Sequence, residues 1–332
     1  MAVLSSGGQI LVVNAGSTSL KLNLVAVDES SVAAGSLADV DPAAIAGVAH
    51  RVVHGGARFS APVVIDDEVE QVLSALTELA PLHNGPALST IREARRVLPG
   101  VPHVAVFDTA FHATIPGVAA TYALASRFRE QHGIRRFGFH GLSVQWAAEQ
   151  VPVPRLVVCH LGGGCSITAV RDGRSVDTTM GFTPLEGVPM ATRSGSIDPG
   201  ALLYLLRQGV SLDELEQSLE HESGLLGLSG ISGNVEQLEA SAEPAAHAAL
   251  EVFAYRIAAA VAAMAAALDG LDALVFTGGI GEHSARVRRA VCARLGFLGV
   301  ESGALDSSVR VVVLRSREDV VAARAARELL SA

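Results

Sequence analysis

The chain has 332 residues, of which 49% are apolar and 18% charged, and this composition excludes a largely disordered protein. Its formal net charge of -9 argues against a general nucleic-acid binder, which would present a basic face. The three cysteines form no C-x-x-C pair and no disulfide framework, so we expect a reducing, cytoplasmic compartment.

Two segments of the chain share one pattern. Residues 9–27 begin with a β-branched apolar run, break at a glycine-containing turn at residues 14–19, and resume as a second apolar run. Residues 154–170 repeat this order around a turn at residues 160–166. Two similar starts half a chain apart predict two related domains, and two unrelated hairpins are the alternative.

The rest of the chain alternates predicted helices with predicted strands. Apolar spacing predicts helices at residues 66–79, 86–97, 198–207, 212–219, 245–268 and 317–330. Predicted strands lie at residues 102–108 and 310–314, and residues 273–284 predict a strand, a glycine turn and the start of a helix. This alternation indicates an α/β architecture, and the Pro-rich residues 151–155 mark a domain boundary.

The most apolar stretch, residues 257–268, is shorter than the roughly 20 residues that a membrane-spanning helix needs. The N-terminus lacks the cationic lead and long apolar core of a signal peptide. We therefore expect no membrane contact. The Ala-rich helix over residues 245–268 is expected to pack inside a domain or against a second subunit.

Three glycine-rich turns follow predicted strands, at residues 14–19, 160–166 and 278–284. Their backbone N–H groups suit phosphate oxygens, so together the three turns predict a bound nucleotide. None of them matches a Walker A loop or the dinucleotide fingerprint. The sequence also lacks a nucleophile elbow and zinc-type spacing, which disfavours hydrolase and zinc sites.

The chain contains a single lysine, Lys21, although lysine and arginine together number 25. This lysine follows the first glycine turn. A compact ammonium there indicates a contact with phosphate that a guanidinium fork would not make, and chance retention is the alternative.

Five polar residues stand in Gly/Pro-rich turns within apolar surroundings: Arg51, His83, Asp108, His140 and Arg193. A single histidine in such a place is most often structural. The combination matters because phosphoryl transfer needs cations around the moving group and a carboxylate near Mg²⁺. Together these residues predict a site for phosphoryl transfer.

The chain resembles the acetokinase family, within the actin, sugar-kinase and Hsp70 superfamily. The strings NAGSTSLK, HRVVHGG, VFDTAFH, GIRRFGFHG, MGFTPLEG, TRSGSIDPG, SGLLGLSGIS, GLDALVFTGGIGE and LGFLG occur in the family's order. The resemblance implies an α/β fold of two duplicated ribonuclease H-like (actin-like ATPase) domains with an interdomain cleft, and a homodimer. It implies reversible phosphoryl transfer between ATP and acetate, giving acetyl phosphate and ADP, with Mg²⁺ or Mn²⁺.

The resemblance also implies the domain limits. Residues 1–150 with a returning helix at 317–332 would bind the acid, and residues 151–316 would bind the nucleotide. The implied catalytic residues are Asp108, His140, Arg193 and His83. The implied acid-binding residues are Arg51, Val53, Leu82, Phe139 and Pro184. Asn14 and Glu318 are the implied metal ligands. The implied nucleotide-binding residues are Lys21, His160, Leu161, Gly162, Gly163, Gly164, Asn234, Val235, Glu236, Gly279, Ile280, Gly281, Glu282 and His283.

Departures from the family pattern concentrate on the nucleotide side. Gly163 and His283 stand where the family usually has asparagine, and Val144 where it has histidine. Residues 234–236 replace an aspartate, an aromatic residue and an arginine, and residues 28–46 are where the N-terminal domain is shorter than usual. Two alternatives follow: a kinase for propionate or another short-chain acid, and a nucleotide-binding regulator with weakened catalysis.

The chemistry of the acid limits the mechanism. A carboxylic acid with a pKa of about 4–5 is ionised at pH 7, so the nucleophile needs no base. We therefore expect Asp108 to organise Mg²⁺ and Arg193. Repulsion between carboxylate and phosphate must be offset by Arg51, Arg193, His140 and Lys21 together with the metal ion.

Overall fold

The computed structural model describes residues 8–15, 20–79, 81–300 and 308–332, without the side chains of residues 78, 79 and 81–83. The chain divides into two compact units. The first unit comprises Met1–Ala113, Phe139–Trp146 and Arg317–Ala332, and the second comprises Thr114–Gly138 and Ala147–Ser316. Each unit is built around its own β-sheet.

The strands are β1 (Gln9–Ala15), β2 (Leu20–Val25), β3 (Ser31–Ala33), β4 (Ile45–Val52), β5 (Val63–Val64), β6 (His103–Phe107), β7 (Arg155–Leu161), β8 (Cys165–Arg171), β9 (Arg174–Thr178), β10 (Ala273–Thr277) and β11 (Arg310–Val313). The helices are α1 (Asp67–Ala75), α2 (Pro81–Val97), α3 (Gly117–Ala120), α4 (Ser126–His132), α5 (Gly141–Gln150), α6 (Pro199–Arg207), α7 (Leu212–Gln217), α8 (Gly224–Ser229), α9 (Val235–Ala240), α10 (Pro244–Ala267), α11 (Gly278–His283), α12 (Ala285–Cys292) and α13 (Glu318–Ser331). Short 3₁₀ turns and a π-helical turn, Ser218–Glu222, join some of them.

The two sheets repeat one topology. In the first, β1, β2 and β3 are antiparallel neighbours, and β4 and β6 continue from β1 as parallel strands, with β5 antiparallel at the edge. In the second, β7, β8 and β9 are antiparallel, and β10 and β11 continue from β7 in parallel. This repeat confirms the predicted duplication over two unrelated hairpins.

Alternation along β1 shows how the first sheet buries both faces. Ile10 packs in a cluster with Val320 of α13, whereas the next residue, Leu11, packs with Leu98 near the end of α2. Successive side chains of a strand point to opposite faces, so one strand supplies both layers of the core. Helix α13 thus returns from the end of the chain to cover the first sheet.

Helix α10 is the main core helix of the second unit. It extends from Pro244 to Ala267, so the length estimate based on residues 257–268 alone was too short, and the helix is long and apolar enough to cross a membrane. Half of its most apolar window is nevertheless buried, and Phe253, Ile257 and Val261 lie in the core. Core helices of soluble proteins pass the same length test, and the buried face matches the predicted packing inside a domain.

The compact units and the predicted domains differ in their limits. Residues 114–138 and 147–150 group with the second unit, although the prediction placed them in the acid-binding domain. The reason is contact: Arg136 donates from Nη1 to the carbonyl oxygens of Thr178 and Thr179, which lie in the second unit. The assignment of acid binding and nucleotide binding to the two domains stays a prediction.

Candidate active site

Arg51 is the centre of a polar cluster in the first unit. Its Nε donates to Asp108 Oδ1 at 2.9 Å, and its Nη2 donates to Asp108 Oδ2 at 2.5 Å. Nη1 donates to Asn14 Oδ1 at 3.1 Å and lies 3.7 Å from Glu318 Oε2. The structure therefore brings together four residues that the sequence predicted for the site.

The topology of the sheet explains this convergence. Asn14 and Arg51 lie near the carboxyl ends of the parallel strands β1 and β4, and Asp108 follows β6 directly. Carboxyl ends of neighbouring parallel strands meet at one edge, where α/β proteins bind ligands. Glu318 is the first residue of α13, where the positive end of the helix dipole favours a carboxylate.

Burial and charge act in opposite directions on this cluster. Burial lowers the pKa of Arg51, but the carboxylates of Asp108 and Glu318 outweigh it and raise that pKa above its ordinary value. Asp108 is only 1% exposed, and burial raises the pKa of its carboxyl, while Arg51 and the backbone N–H of His140 oppose that rise. The two-point contact keeps the pair together as an ion pair.

His140 reaches this cluster through a strained backbone. It has φ +60°, a left-handed conformation that is uncommon outside glycine, and such strain concentrates at functional sites. Its N–H donates to the Asp108 carboxylate, and the next N–H, that of Gly141, donates to the Asp108 carbonyl at 2.9 Å. A Cβ on Gly141 would lie 2.1 Å from that carbonyl oxygen, so only glycine permits this approach.

The predicted acid pocket is described in part. Val53 and Phe139 are buried in the first unit, at 7% and 1% exposure, and Pro184 is buried in the second unit. The side chains of Leu82 and His83 lie outside the described residues, so their predicted roles stay predictions.

A buried network that the sequence interpretation did not single out supports the segment after Arg51. The N–H of His54 donates to Asn84 Oδ1 at 3.1 Å, and Asn84 Nδ2 donates to the carbonyl of His54 at 3.1 Å. Gly55 N–H donates to Thr109 Oγ1 at 3.1 Å. Asn84 adjoins His83 in the PLHN string, and its burial is what reveals its structural role.

Lys21 lies on β2, the antiparallel neighbour of β1. It is the register partner of Asn14, so both side chains leave the same face of the sheet. Residues 16–19 of the first glycine turn lie outside the described residues. The predicted contact of Lys21 with phosphate therefore remains a prediction, with the register as its support.

The second unit places two glycine turns side by side. His160 and Leu161 end β7, and the turn closes by a bond from Gly162 N–H to the Gly164 carbonyl at 3.0 Å. Thr277, the last residue of β10, pairs with His160, and residues 278–283 form α11 directly after it. Gly278 has φ +77°, and a Cβ there would lie 2.7 Å from the Leu161 carbonyl oxygen. Both turns predicted to bind nucleotide, including Gly279, Ile280, Gly281, Glu282 and His283, thus share one sheet edge.

Gly163 has open space around it. No described heavy atom beyond its chain neighbours lies within 4 Å of a Cβ built at this position, and its φ is not in the left-handed region. A side chain there would need no rearrangement. The departure from asparagine is therefore a change of surface chemistry with no packing requirement behind it.

Arg193, also in the second unit, has its own acidic partner. Its Nε lies 3.2 Å from Glu220 Oε2, and its Nη1 donates to the Pro184 carbonyl at 3.4 Å. Burial lowers the pKa of Arg193, and the charge of Glu220 opposes that shift. Arg193 thus contacts Pro184, a predicted acid-pocket residue, and Glu220, which sequence interpretation missed.

Residues 234–236, which were predicted to bind the nucleotide, are mainly engaged in the local fold. Asn234 caps α9, where its Oδ1 accepts from Gln237 N–H at 3.2 Å, and Val235 is buried at 5% exposure. Glu236 is exposed. Two of the three side chains therefore stabilise the fold, and only Glu236 is presented to solvent.

Comparison with known proteins decides the family. A sequence profile described as the Acetokinase family matches residues 37–328. The chain belongs to the acetokinase family. Acetate kinase of Synechococcus sp. (strain JA-2-3B'a(2-13)) is 50% identical over 314 residues, which cover 87% of this chain and 77% of the relative. Acetate kinase of Deinococcus radiodurans is 51% identical over 269 residues, 77% of this chain and 68% of the relative.

Solved structures give the same family. A propionate kinase from Francisella tularensis superposes with TM-score 0.88 at 35% identity, covering 96% of this chain and 98% of that one. Acetate kinase from Porphyromonas gingivalis superposes with TM-score 0.85 at 31% identity, covering 97% and 100%. As an acetokinase, the chain is a phosphotransferase with two duplicated actin-like ATPase domains, and ATP is its co-substrate.

The acetokinase chain also offers oxygen ligands for a metal ion. Among the described residues, no group of three or more His, Cys, Asp or Glu side chains is placed to hold a metal. Asn14 Oδ1 and Glu318 Oε2, however, both lie near the same nitrogen, Arg51 Nη1. Amide and carboxylate oxygens suit Mg²⁺, which keeps several waters and takes few protein ligands, so these residues fit the ion.

Proposed function

We propose that this protein is an acetate kinase that transfers the γ-phosphoryl group of ATP to acetate, giving acetyl phosphate and ADP, and that it also catalyses the reverse reaction. The observation that carries the proposal is the Arg51 cluster, in which Asp108, Asn14 and Glu318 surround one guanidinium in an acetokinase. A held cation of this kind suits a small carboxylate, because guanidinium and carboxylate match in geometry.

The acid attacks without a base. Acetate is ionised at pH 7, so one carboxylate oxygen forms the new bond to the γ-phosphorus as the bond to the ADP oxygen breaks. Asp108 then has no proton to accept. Its described contacts instead orient Arg51, and this is the function we assign to it.

Charge neutralisation provides most of the catalysis. Arg193 and His140 stabilise the transferring phosphoryl group, and Lys21 contacts the phosphates of the nucleotide. In related phosphoryl transfers a single arginine contributes about 10³–10⁵-fold in rate. Burial of Arg193 strengthens its effect, because fewer waters screen its charge.

Different residues bind the nucleotide and the metal ion in this proposal. ATP binds through residues 160–164 and 279–283, whose turns adjoin at the edge of the second sheet. Asn14 and Glu318 would hold Mg²⁺, or Mn²⁺ in its place. When bound, the ion offsets phosphate charge.

Two other activities have specific support. A propionate or short-chain acid kinase is favoured by the superposition on the propionate kinase of Francisella tularensis. Val53 is buried in this chain, but one methyl group changes discrimination between acids by only about 1–3 kcal/mol. A regulator with weakened catalysis is favoured by two observations: Gly163 lacks a side chain, and Asn234 and Val235 serve the local fold as a helix cap and a buried residue.

We further propose a cytoplasmic homodimer. Helix α6, which the structure describes in full, has no buried residue although its sequence is PGALLYLLR. Leu203 and Tyr204 are 52% and 60% exposed. A helix this apolar is stable in water when a second surface covers it, and a second copy of the chain is the partner that the family resemblance implies. No nucleic-acid or membrane partner is proposed.

One experiment separates the activities. Purified protein is incubated with Mg-ATP and a panel of C1 to C4 carboxylates, and acyl phosphate is trapped with hydroxylamine. Acetate-dominant product supports the proposal, and propionate-dominant product supports the short-chain alternative. ATP binding without acyl phosphate supports the regulator. An Arg193→Ala preparation, purified identically, controls for a contaminating kinase.

A further inference from the structure

Glu220 is the acidic partner of Arg193 in the second unit. Glu220 Oε2 lies 3.2 Å from Arg193 Nε, and the two side chains are 16% and 15% exposed. A guanidinium has a side edge that includes Nε and an end edge formed by Nη1 and Nη2. The ion pair lies at the side edge. At the end edge, Nη1 donates to the Pro184 carbonyl at 3.4 Å, and the planar fork carries further N–H donors that an anion such as a phosphoryl group can meet.

The backbone around Glu220 is tied to the backbone around Arg193. Glu220 belongs to the π-helical turn Ser218–Glu222, a conformation that occurs often at functional sites. Thr192 Oγ1 donates to the Glu220 carbonyl at 2.8 Å, and Ser194 N–H donates to the Leu219 carbonyl at 3.0 Å. These bonds flank Arg193 on both sides and fix its main chain.

A second set of backbone contacts, from Gly224 and Leu225, also fixes the main chain around Arg193. Gly224 has φ +59°, and a Cβ there would lie 2.2 Å from the Met190 carbonyl oxygen and 2.7 Å from that of Arg193. Leu225 N–H donates to the Met190 carbonyl at 2.8 Å. The main chain of Arg193 is therefore held without help from the Glu220 carboxylate. That carboxylate can act on the direction of the guanidinium alone.

We propose that Glu220 is a positioning residue, which holds the Nε edge of Arg193 so that the end edge of the guanidinium faces the transferring phosphoryl group. This inference rests on the proposed function, in which Arg193 stabilises that group. Glu220 touches neither substrate nor metal in this scheme. Its effect on the reaction passes entirely through Arg193.

The Glu220→Ala variant should lower kcat by up to about 100-fold, the cost of misplacing a positioned catalytic group by about 1 Å, with the KM for acetate unchanged. The Glu220→Gln variant should lose nearly as much, because the contact is an ion pair and a neutral amide removes its charge. Glu222→Ala is the matched control: it removes an exposed carboxylate from the same turn and should behave as wild type. A normal kcat for Glu220→Ala, or equal losses for Glu220→Ala and Glu222→Ala, would overturn the inference.

A double-mutant cycle separates positioning from general stability. In an Arg193→Ala background, adding Glu220→Ala should change kcat by less than about 2-fold, because the residue through which it acts is absent. Independent losses that multiply would show that Glu220 acts elsewhere and would overturn the inference. If Glu220→Ala does not fold, the same cycle is made with Glu220→Gln.

A readout without catalysis keeps the inference distinct from the proposed function. Arginine Nε–H resonances are recorded by ¹⁵N NMR, and the Arg193 signal is assigned as the one lost in Arg193→Ala. It should shift in Glu220→Ala and not in Glu222→Ala. If wild type forms no acyl phosphate, the proposed function fails, while the NMR result still decides whether Glu220 holds Arg193. An unshifted signal would contradict the contact itself.

Discussion

The two arginines on which the proposed function depends are held in different ways. Arg51 is bound at two nitrogens by both oxygens of Asp108, and a third nitrogen meets Asn14 and Glu318. Arg193 meets one oxygen of Glu220 at 3.2 Å and a carbonyl at 3.4 Å. Asp108 is also fixed by the backbone N–H of His140, whereas Glu220 has a longer side chain with one more rotatable bond.

This difference matches the two tasks that we propose. A carboxylate substrate keeps its charge and shape through the reaction, so a rigid guanidinium can be preorganised for it. The phosphoryl group changes position as it is transferred, and Arg193, which meets one oxygen of its carboxylate partner where Arg51 meets two, can follow that change more readily. The two arginines should therefore respond differently when their contacts are removed.

Arg193→Ala should reduce activity more than any other substitution considered. We expect turnover to fall by about 10³–10⁵-fold, since the loss resembles removal of a catalytic arginine in related phosphoryl transfers. The thermal midpoint should stay near that of wild type, because backbone bonds hold the loop. Turnover is measured by hydroxylamine trapping and folding by circular dichroism. A rate within 10-fold of wild type would remove Arg193 from the mechanism.

Asp108→Ala should remove the ion pair that holds Arg51 and should therefore lower stability as well as activity. Removing one partner of a buried ion pair leaves the other uncompensated, and we expect a loss of about 3–5 kcal/mol in the free energy of unfolding. Urea denaturation measures this loss. Glu68→Ala is the control, since it removes the partner of the exposed Arg58 and should cost less than about 1 kcal/mol. Similar losses in the free energy of unfolding for both variants would contradict a stabilising ion pair between Asp108 and Arg51.

Gly163→Asn should raise kcat/KM for ATP by adding a side chain to the glycine turn of the second unit. The site has open space, so the side chain fits without strain, and one added hydrogen bond to phosphate is worth about 1.5–3 kcal/mol, or roughly 10–150-fold in kcat/KM for ATP. Steady-state kinetics with varied ATP measure the gain, and KM for acetate serves as the internal control. An unchanged kcat/KM would place the phosphates away from this turn.

Acidification should weaken the first unit through His112. Burial lowers the pKa of His112 to about 4, while its ring Nε2 lies in hydrogen-bond contact with the carbonyl oxygen of Phe139 at 2.9 Å. The folded pKa lies below the ordinary value of about 6.5, so the unfolded chain binds the proton first as pH falls. Stability is complete above about pH 6.5 and should decline toward pH 4, by at most about 1.4 kcal/mol per pH unit. Urea denaturation from pH 7 to 5 measures the slope, which His112→Gln should reduce; an unaltered slope would contradict the assignment.

Sequence patterns predicted much of this fold because they act locally. The repeated hairpins predicted the duplicated sheets. Polar residues singled out Arg51, near the end of β4, and Asp108, after β6, whereas Asn14 and Glu318 were implied by the family resemblance. The start of α2 was missed: it begins at Pro81, whereas Pro86, which the prediction took as the boundary, lies inside the helix. Short helices such as α8 and α9 were also missed, because six residues show too little periodicity.

The missed site residues depend on contacts between distant parts of the chain. Glu220 lies in a polar stretch, LEHES, in which nothing distinguishes it from Glu222 until folding places it 3.2 Å from Arg193. Asn84 was not singled out from the sequence, and its role is seen only from its burial and its two hydrogen bonds with the main chain of His54. Pairing of this kind is decided by packing, and the residue types alone do not reveal it.

The register of Lys21 opposite Asn14 has a practical consequence. As the chain contains no other lysine, a reagent that acylates side-chain amines has one target besides the N-terminus, and that target adjoins the Arg51 cluster. A fluorophore or a surface linker attached in this way would be uniform in position without any engineered residue. The same uniformity means that immobilisation through amines would tether every molecule beside the Arg51 cluster.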